Sequence, residues 1–168
     1  MENLFEQNNI KIENKEGEPR TEVISSQDLI ERIYQGGSTI RDERFLPFND
    51  GGVFKYFDVG DLIYKSHIHE SNRLYLIVEL GDLIVGISEL EQDPNDPNNF
   101  WIKFISVDQE YQSNRYASLL VEKIFEFAKQ NNYSLELSFY SKQGLEKLKK
   151  VIDRKIEETG VKIVNRHN

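Results

Sequence analysis

No cysteine occurs anywhere in the 168 residues. That excludes disulfides, thiolate metal sites and a cysteine nucleophile. Long apolar runs are missing too. No stretch approaches the roughly 20 residues that cross a bilayer as a helix, and Met1 to Lys11 lacks the apolar centre of a signal peptide. A soluble, cytoplasmic protein is the resulting expectation. Basic residues are in deficit: 21 Lys and Arg stand against 29 Asp and Glu, for a formal net charge of −8. Such a field disfavours nucleic acid and anionic membrane as partners. It suits a cationic partner, and it equally serves solubility.

What is present reads as a single domain. The length is enough to bury a substantial core. Residues 1–20 are rich in Asn, Glu, Gln and Lys and bury little apolar surface, so they are expected to form a flexible arm. Residues 21–168 then form one domain. Glu22 to Ile24 reads as a short strand. Ser25 and Asp28 have the spacing of a capping box ahead of a helix whose inner face is Leu29, Ile30 and Ile33, and Gly36-Gly37 is its stop. Residues 38–66 carry Phe45, Phe48, Phe54, Tyr56, Phe57 and Tyr64 in irregular spacing, as expected of structure folded over a core or a site.

From Arg73 the pattern is regular. Leu74 to Leu80 and Leu83 to Leu90 are two β-rich runs joined by Gly81-Asp82, a hairpin signal. Glu91 to Asn99, with Pro94 and Pro97, reads as a polar loop. Phe100 to Val107 is a strand that alternates in part through Trp101, Lys103 and Ile105. A helix follows with Tyr116, Leu119, Leu120, Lys123, Ile124, Phe127 and Ala128 at helical spacing, stopping at Asn131-Asn132. Ser134 to Tyr140 alternates as a strand with one buried face, Gly144 to Thr159 is a charged helix, and Val161 to Val164 is a last strand. The order implies an α/β (α+β) fold with a mixed, largely antiparallel central sheet flanked by helices, its strand–helix–strand unit parallel and right-handed.

The segment between strand and helix, Tyr111-Gln112-Ser113-Asn114-Arg115-Tyr116-Ala117, is a natural anion site, because the first backbone N–H groups of a helix lack intrahelical partners and face its positive end. With its setting, this segment resembles the GNAT superfamily of N-acetyltransferases, which use acetyl-CoA. In that family a strand leads into Gln/Arg-x-x-Gly-x-Gly/Ala and then a helix. Gln112 matches the first position and Ala117 the last, while Arg115 stands where the central glycine belongs. The resemblance extends from Leu74 to about Tyr140. It implies a GNAT-like acyl-CoA N-acyltransferase fold, acetyl-CoA as co-substrate and a primary amine of a small molecule or protein as acceptor, in a monomer or homodimer. By position it implies a diphosphate cradle at Gln112, Ser113, Asn114, Arg115, Tyr116, Ala117 and Ser118. Backbone pairing of the pantetheine arm would fall to Ile105 and Val107, and Ser141 aligns with a further cofactor-binding position.

The catalytic positions depart from the family. Lys103 stands where many members have a glutamate, and Leu148 where many have a tyrosine that protonates the leaving thiolate. Glu89 on the adjacent strand is the nearest carboxylate to act as base, the alternative being a solvent-facing strand residue. Tyr140 and Tyr116 are the nearby phenols for the acid, the alternative being packing aromatics. A non-catalytic CoA-binding or protein-interaction module of the same fold is the rival reading. Three other features read as structural. His67-x-His69 lacks a third ligand cluster, so no metal site is expected. Asp93 to Pro97 lacks calcium-loop spacing and reads as a loop, with the acceptor entrance as its functional alternative. The run Lys147, Lys149, Lys150, Arg154 and Lys155 is interleaved with acids as on a solvated helix face.

Overall fold

The computed structural model describes residues 18–41, 45, 48–50, 53–55, 72–137 and 142–164. The segment 1–17, most of the aromatic stretch 42–71, His67, His69, Tyr140 and Ser141 lie outside the described residues.

Two long strands form the backbone of the fold. β5 (Arg73–Leu80) and β6 (Leu83–Asp93) make the hairpin foreseen at Gly81-Asp82, with Gly81 at φ 61° in the turn. A side-chain-free residue takes that left-handed conformation without a Cβ clash. β1 (Arg20–Ser25) lies antiparallel on β5, and β7 (Asp96–Val107) lies antiparallel on β6. β8 (Ser134–Leu137) and β9 (Ile163–Val164) continue the sheet in parallel, giving the order β1-β5-β6-β7-β8-β9. β2 (Thr39–Ile40) joins β6 in parallel, and β3 (Phe48–Asp50) and β4 (Val53–Lys55) form a separate small hairpin. The sheet is mixed, as the sequence implied.

Among the described residues, three helices connect and cover it. α1 (Ser26–Tyr34) starts where Ser25 Oγ accepts the Asp28 N–H at 3.1 Å. It ends in a Schellman pattern: the Gly37 N–H donates to Arg32 O at 2.9 Å and Gly36 sits at φ 74°. α2 (Tyr116–Asn131) crosses from β7 to β8 and ends the same way, with Asn132 at φ 57° and the Tyr133 N–H donating to Ala128 O at 2.8 Å. Tyr133 then packs against Phe100 and Phe127. α3 (Lys142–Thr159) links β8 to β9. Among the described residues no helix is long and apolar enough to cross a membrane.

The sheet separates two cores. On one face Leu76, Val78, Val85, Leu90, Phe100, Ile102 and Val107 meet Leu120, Val121, Ile124 and Phe125 of α2 and Ile152 of α3. On the other, Ile24, Tyr75, Ile77, Ile84, Ile87 and Phe104 meet Leu29 of α1 and Phe45. Gly86 of β6 faces Leu120 of α2: a Cβ there would come within 3.2 Å of Leu120 Cδ1.

Three sequence expectations change. The polar loop over 91–99 is instead a continuation of β6 and β7 to a tight turn at Pro94-Asn95, where Asp93 opposes Asp96. The aspartates explain it: Asp93 Oδ1 accepts the Asn95 N–H at 2.9 Å and Asp96 Oδ1 the Asn98 N–H at 3.0 Å, side chains standing in for the turn's own backbone partners. The alternation expected along Phe100 to Val107 is also broken. Glu89 opposes Phe104 while Leu90 opposes Ile102, so Lys103 is an extra, bulged residue. The bulge sends Ile102 to the α2 face and Phe104 to the α1 face, and it keeps Ile105 and Val107 against α2. β8 departs from a one-sided strand as well, since Glu136 is buried beside Leu135. It is an interior strand, flanked by β7 and β9.

Candidate active site

The end of β7 is organised by Asp108, which is completely buried. Its N–H donates to Val85 O at 2.9 Å, and its carbonyl accepts the Tyr111 N–H at 2.8 Å. Its Oδ1 caps the following 3-10 turn, Gln109–Asn114, by accepting the Glu110 N–H at 2.9 Å. Oδ2 accepts from Arg41 Nη2 at 2.7 Å and Nε at 3.1 Å. Arg41 also pairs with Glu110 at 2.9 Å and lies over the Tyr111 ring. The hydrogen bond to Asp108 raises the Arg41 pKa, helped by Glu110, against a smaller opposing effect of burial. Sequence reading missed this pair. Asp108 carried a cap signature, an Asp before a short polar turn, but Arg41 lies in the stretch without periodicity.

From this anchor the chain turns into α2 through Arg115, at φ 61° and ψ 23°. This is the left-handed region, costing an L-residue about 1–2 kcal/mol. Glycine, the residue of the resembled pattern at this position, would enter it freely; here the residue is arginine. Arg115 is exposed, as are Gln112 and Asn114. The Arg115 side chain makes no capping hydrogen bond to α2. Its first hydrogen bond is from Leu119 N–H to Arg115 O at 3.0 Å, so the amides of Tyr116, Ala117 and Ser118 point out of the helix end. These three donors, the small side chains of Ala117 and Ser118 and the exposed cation beside them are the chemistry of a diphosphate cradle, so the residues present fit a CoA-type ligand.

The expected pantetheine positions lie on the same approach. Ile105 and Val107 pack their side chains toward α2, leaving only backbone for recognition. The β7–β8 ladder runs from Asn99–Ser134 to Ile102–Leu137, and among the described residues β7 beyond Ile102 is laddered to β6. Tyr116 packs against the α2-side core, and its pKa is raised, mainly by burial and secondarily by the neighbouring Tyr111.

Glu89 lies on the opposite face. It is 4% exposed, which overturns the solvent-facing alternative. Its Oε1 accepts from Arg73 Nη1 at 2.5 Å and its Oε2 from the Tyr75 hydroxyl at 2.8 Å. Burial pushes the Tyr75 phenol far above the usual tyrosine range, and the charge of Glu89 and the bond to it add to the effect. Lys103 stands over the Trp101 ring, 3.5 Å from its centroid.

Comparison with known proteins accords with this geometry. The profile of the acetyltransferase (GNAT) family matches residues 38–144, well over half of the chain. The chain belongs to that family. It is an acetyltransferase, and acetyl-CoA is the co-substrate its site has to hold. Solved structures agree on the fold. A GNAT-family acetyltransferase from Streptococcus pneumoniae superposes with a TM-score of 0.52 at 18% identity, covering 82% of this chain and 83% of that one. The diaminobutyrate acetyltransferase EctA from Paenibacillus lautus, solved with L-2,4-diaminobutyric acid and coenzyme A, gives 0.51 at 14% identity over 84% and 76%. An aminoglycoside acetyltransferase from an uncultured soil metagenomic sample, solved with sisomicin, gives 0.50 at 13% identity over 94% and 97%. No curated protein matches the sequence significantly.

Proposed function

We propose that this acetyltransferase passes the acetyl group of acetyl-CoA to a primary amine of a small molecule or protein by direct attack, without an acyl-enzyme. The observation that carries the reading is the glycine-like backbone of Arg115 in front of an uncapped helix start. In this reading the amides of Tyr116, Ala117 and Ser118 receive the diphosphate, with Gln112, Ser113 and Asn114 along the approach. The Arg115 guanidinium adds a charge-assisted contact. Backbone groups of Ile105 and Val107 hold the pantetheine arm, and Ser141 flanks it. When bound, the co-substrate supplies an activated acetyl thioester: a C–N bond forms as the C–S bond breaks, and the thiolate leaves.

Two proton transfers remain for the protein. Glu89 takes the proton lost by the amine, directly or through water. A carboxylate oxygen has two lone-pair sites, so each Glu89 oxygen keeps one after accepting from Arg73 or Tyr75. Tyr140 returns a proton to the thiolate. The ion pair to Arg73 orients Glu89, and it also competes for the oxygen that would take that proton. That competition, with Lys103 at the family's glutamate position, favours a second reading: a CoA-binding module that no longer turns over.

Calorimetry with acetyl-CoA and a free-thiol assay against a panel of primary amines separate the readings. Binding with thiol release dependent on an amine is expected. Binding without release on any amine leaves the non-catalytic module, and no heat at millimolar acetyl-CoA contradicts both.

A further inference from the structure

Across β5, β6 and β7, on the face turned away from α2, runs a line of charges whose hydrogen-bonding capacity is incompletely used. Arg73 opposes Glu91, and Glu91 opposes Trp101. The bulged Lys103 stands over that Trp101 ring. Two buried atoms in the line have no hydrogen-bond partner among the described residues: Arg73 Nε, a donor, and Glu91 Oε2, an acceptor. Arg73 Nη2 is 3.5 Å and Lys103 Nζ 3.7 Å from that Glu91 oxygen, attracted to it without a hydrogen bond. Lys103 has ring and ion-pair contacts but no hydrogen bond among the described residues. Buried polar groups left unpaired are costly, so a ligand that completes their hydrogen bonds is favoured.

The signs say what that is. Arg73 and Lys103 balance Glu89 and Glu91, so a bare ammonium ion would meet two cations and a bare carboxylate two anions. A molecule carrying both groups supplies acceptors to Arg73 Nε and Lys103 and a donor to Glu91 Oε2. Further along the line, Glu136 of β8 opposes Trp101 and is buried. Its carboxylate draws the ammonium end of such a molecule toward the β7–β8 junction.

We propose that the acceptor is a zwitterionic amino compound, its carboxylate docked between Arg73 Nε and Lys103 and its nitrogen directed toward the β7–β8 junction. This rests on the acetyltransferase reading, which lays the pantetheine arm along Ile105 to Val107. A strand rises about 3.3 Å per residue, so Lys103 and Ile105 are roughly 6–7 Å apart along β7. A short spacer between carboxylate and amine fits that span better than a single carbon does.

Glycine, 3-aminopropanoate and 4-aminobutanoate, each paired with its primary amide, test this with the full-length protein. Two readouts are used: thiol release with acetyl-CoA, and calorimetric binding to CoA-loaded protein. The longer acids are expected to exceed their amides about 30-fold in kcat/KM, the scale of one hydrogen bond to a charged group. Lys103→Gln is expected to reduce that ratio to about threefold or less without changing the dissociation constant of acetyl-CoA, while Lys103→Arg keeps most of it. Acids no better than amides, or CoA-loaded protein that binds none of the six, overturns the inference. If Lys103→Gln does not fold, the wild-type ratio alone decides. Acetyl-CoA that fails to bind overturns the acetyltransferase reading instead.

Discussion

The two faces of the β5–β6–β7 sheet are built from different material. On the α2 side, a turn shaped by the buried Asp108 leads into a helix start whose Tyr116, Ala117 and Ser118 amides have no intrahelical partner. On the opposite side, Arg73, Glu89, Glu91 and Lys103 present side chains that are mostly buried and mutually paired. A backbone site survives replacement of its letters so long as φ and ψ are kept, which is how arginine stands in a glycine position. A side-chain site changes its ligand when one letter changes. The cofactor half of such an enzyme is therefore expected to stay recognisable across distant relatives, and the acceptor half to diverge.

The largest effect that sharpens this contrast is on stability. Glu89→Ala leaves Arg73 buried without its closest partner and Tyr75 without an acceptor, so it should cost about 3–5 kcal/mol in urea unfolding. Gln112→Ala, on the exposed turn, should stay within about 0.5 kcal/mol. Equal losses would remove the distinction between the faces. Next, Gly86→Val should cost about 1–3 kcal/mol by forcing β6 away from Leu120 of α2. A neutral result in the same unfolding assay would mean the approach is looser than the 3.2 Å contact implies.

The third prediction concerns pH. In the unfolded chain Tyr75 ionises near pH 10, whereas the folded protein retains the proton because burial and Glu89 raise its pKa. The native state then binds more protons above pH 10. Stability should fall as pH rises beyond that point, by up to about 1.4 kcal/mol per pH unit for this one group. Tyr75→Phe should flatten the alkaline limb by that amount, as followed by unfolding midpoints from pH 9 to 11. An unchanged slope would show that the phenol titrates normally. Smallest is Arg115→Gly: relief of the left-handed conformation against the extra freedom of an unfolded glycine should net about 0.5–1 kcal/mol of stabilisation. A loss of stability in thermal melts would place the Arg115 side chain in a contact that outweighs the strain.

Much of this layout was legible in the sequence wherever one local rule acted alone. The hairpin at Gly81-Asp82, the α1 cap at Ser25 and the α2 stop at Asn132 each follow from turn or cap chemistry within a few residues. The turn before α2 was legible from its small and polar residues between two periodic segments. What escaped depended on distant partners. The bulge at Lys103 is set by the register against β6. The burial of Glu89 depends on Arg73 and Tyr75, sixteen and fourteen positions away. Asp108 is anchored by Arg41, sixty-seven positions upstream in a stretch with no periodicity. The polar loop expected at 91–99 failed for a related reason: its prolines and aspartates mark a turn, but cross-strand pairing decides how short that turn is.

The central claim, that the co-substrate sits on the Asp108–Ser118 turn and along the end of β7, is tested most directly by titrating acetyl-CoA into isotopically labelled protein and following backbone amide resonances. The account predicts saturable shifts concentrated at Ile105, Val107 and Gln112 to Ser118, with Gln27 to Arg32 of α1 unmoved. Saturable shifts confined to other elements, or none at millimolar acetyl-CoA, would contradict it.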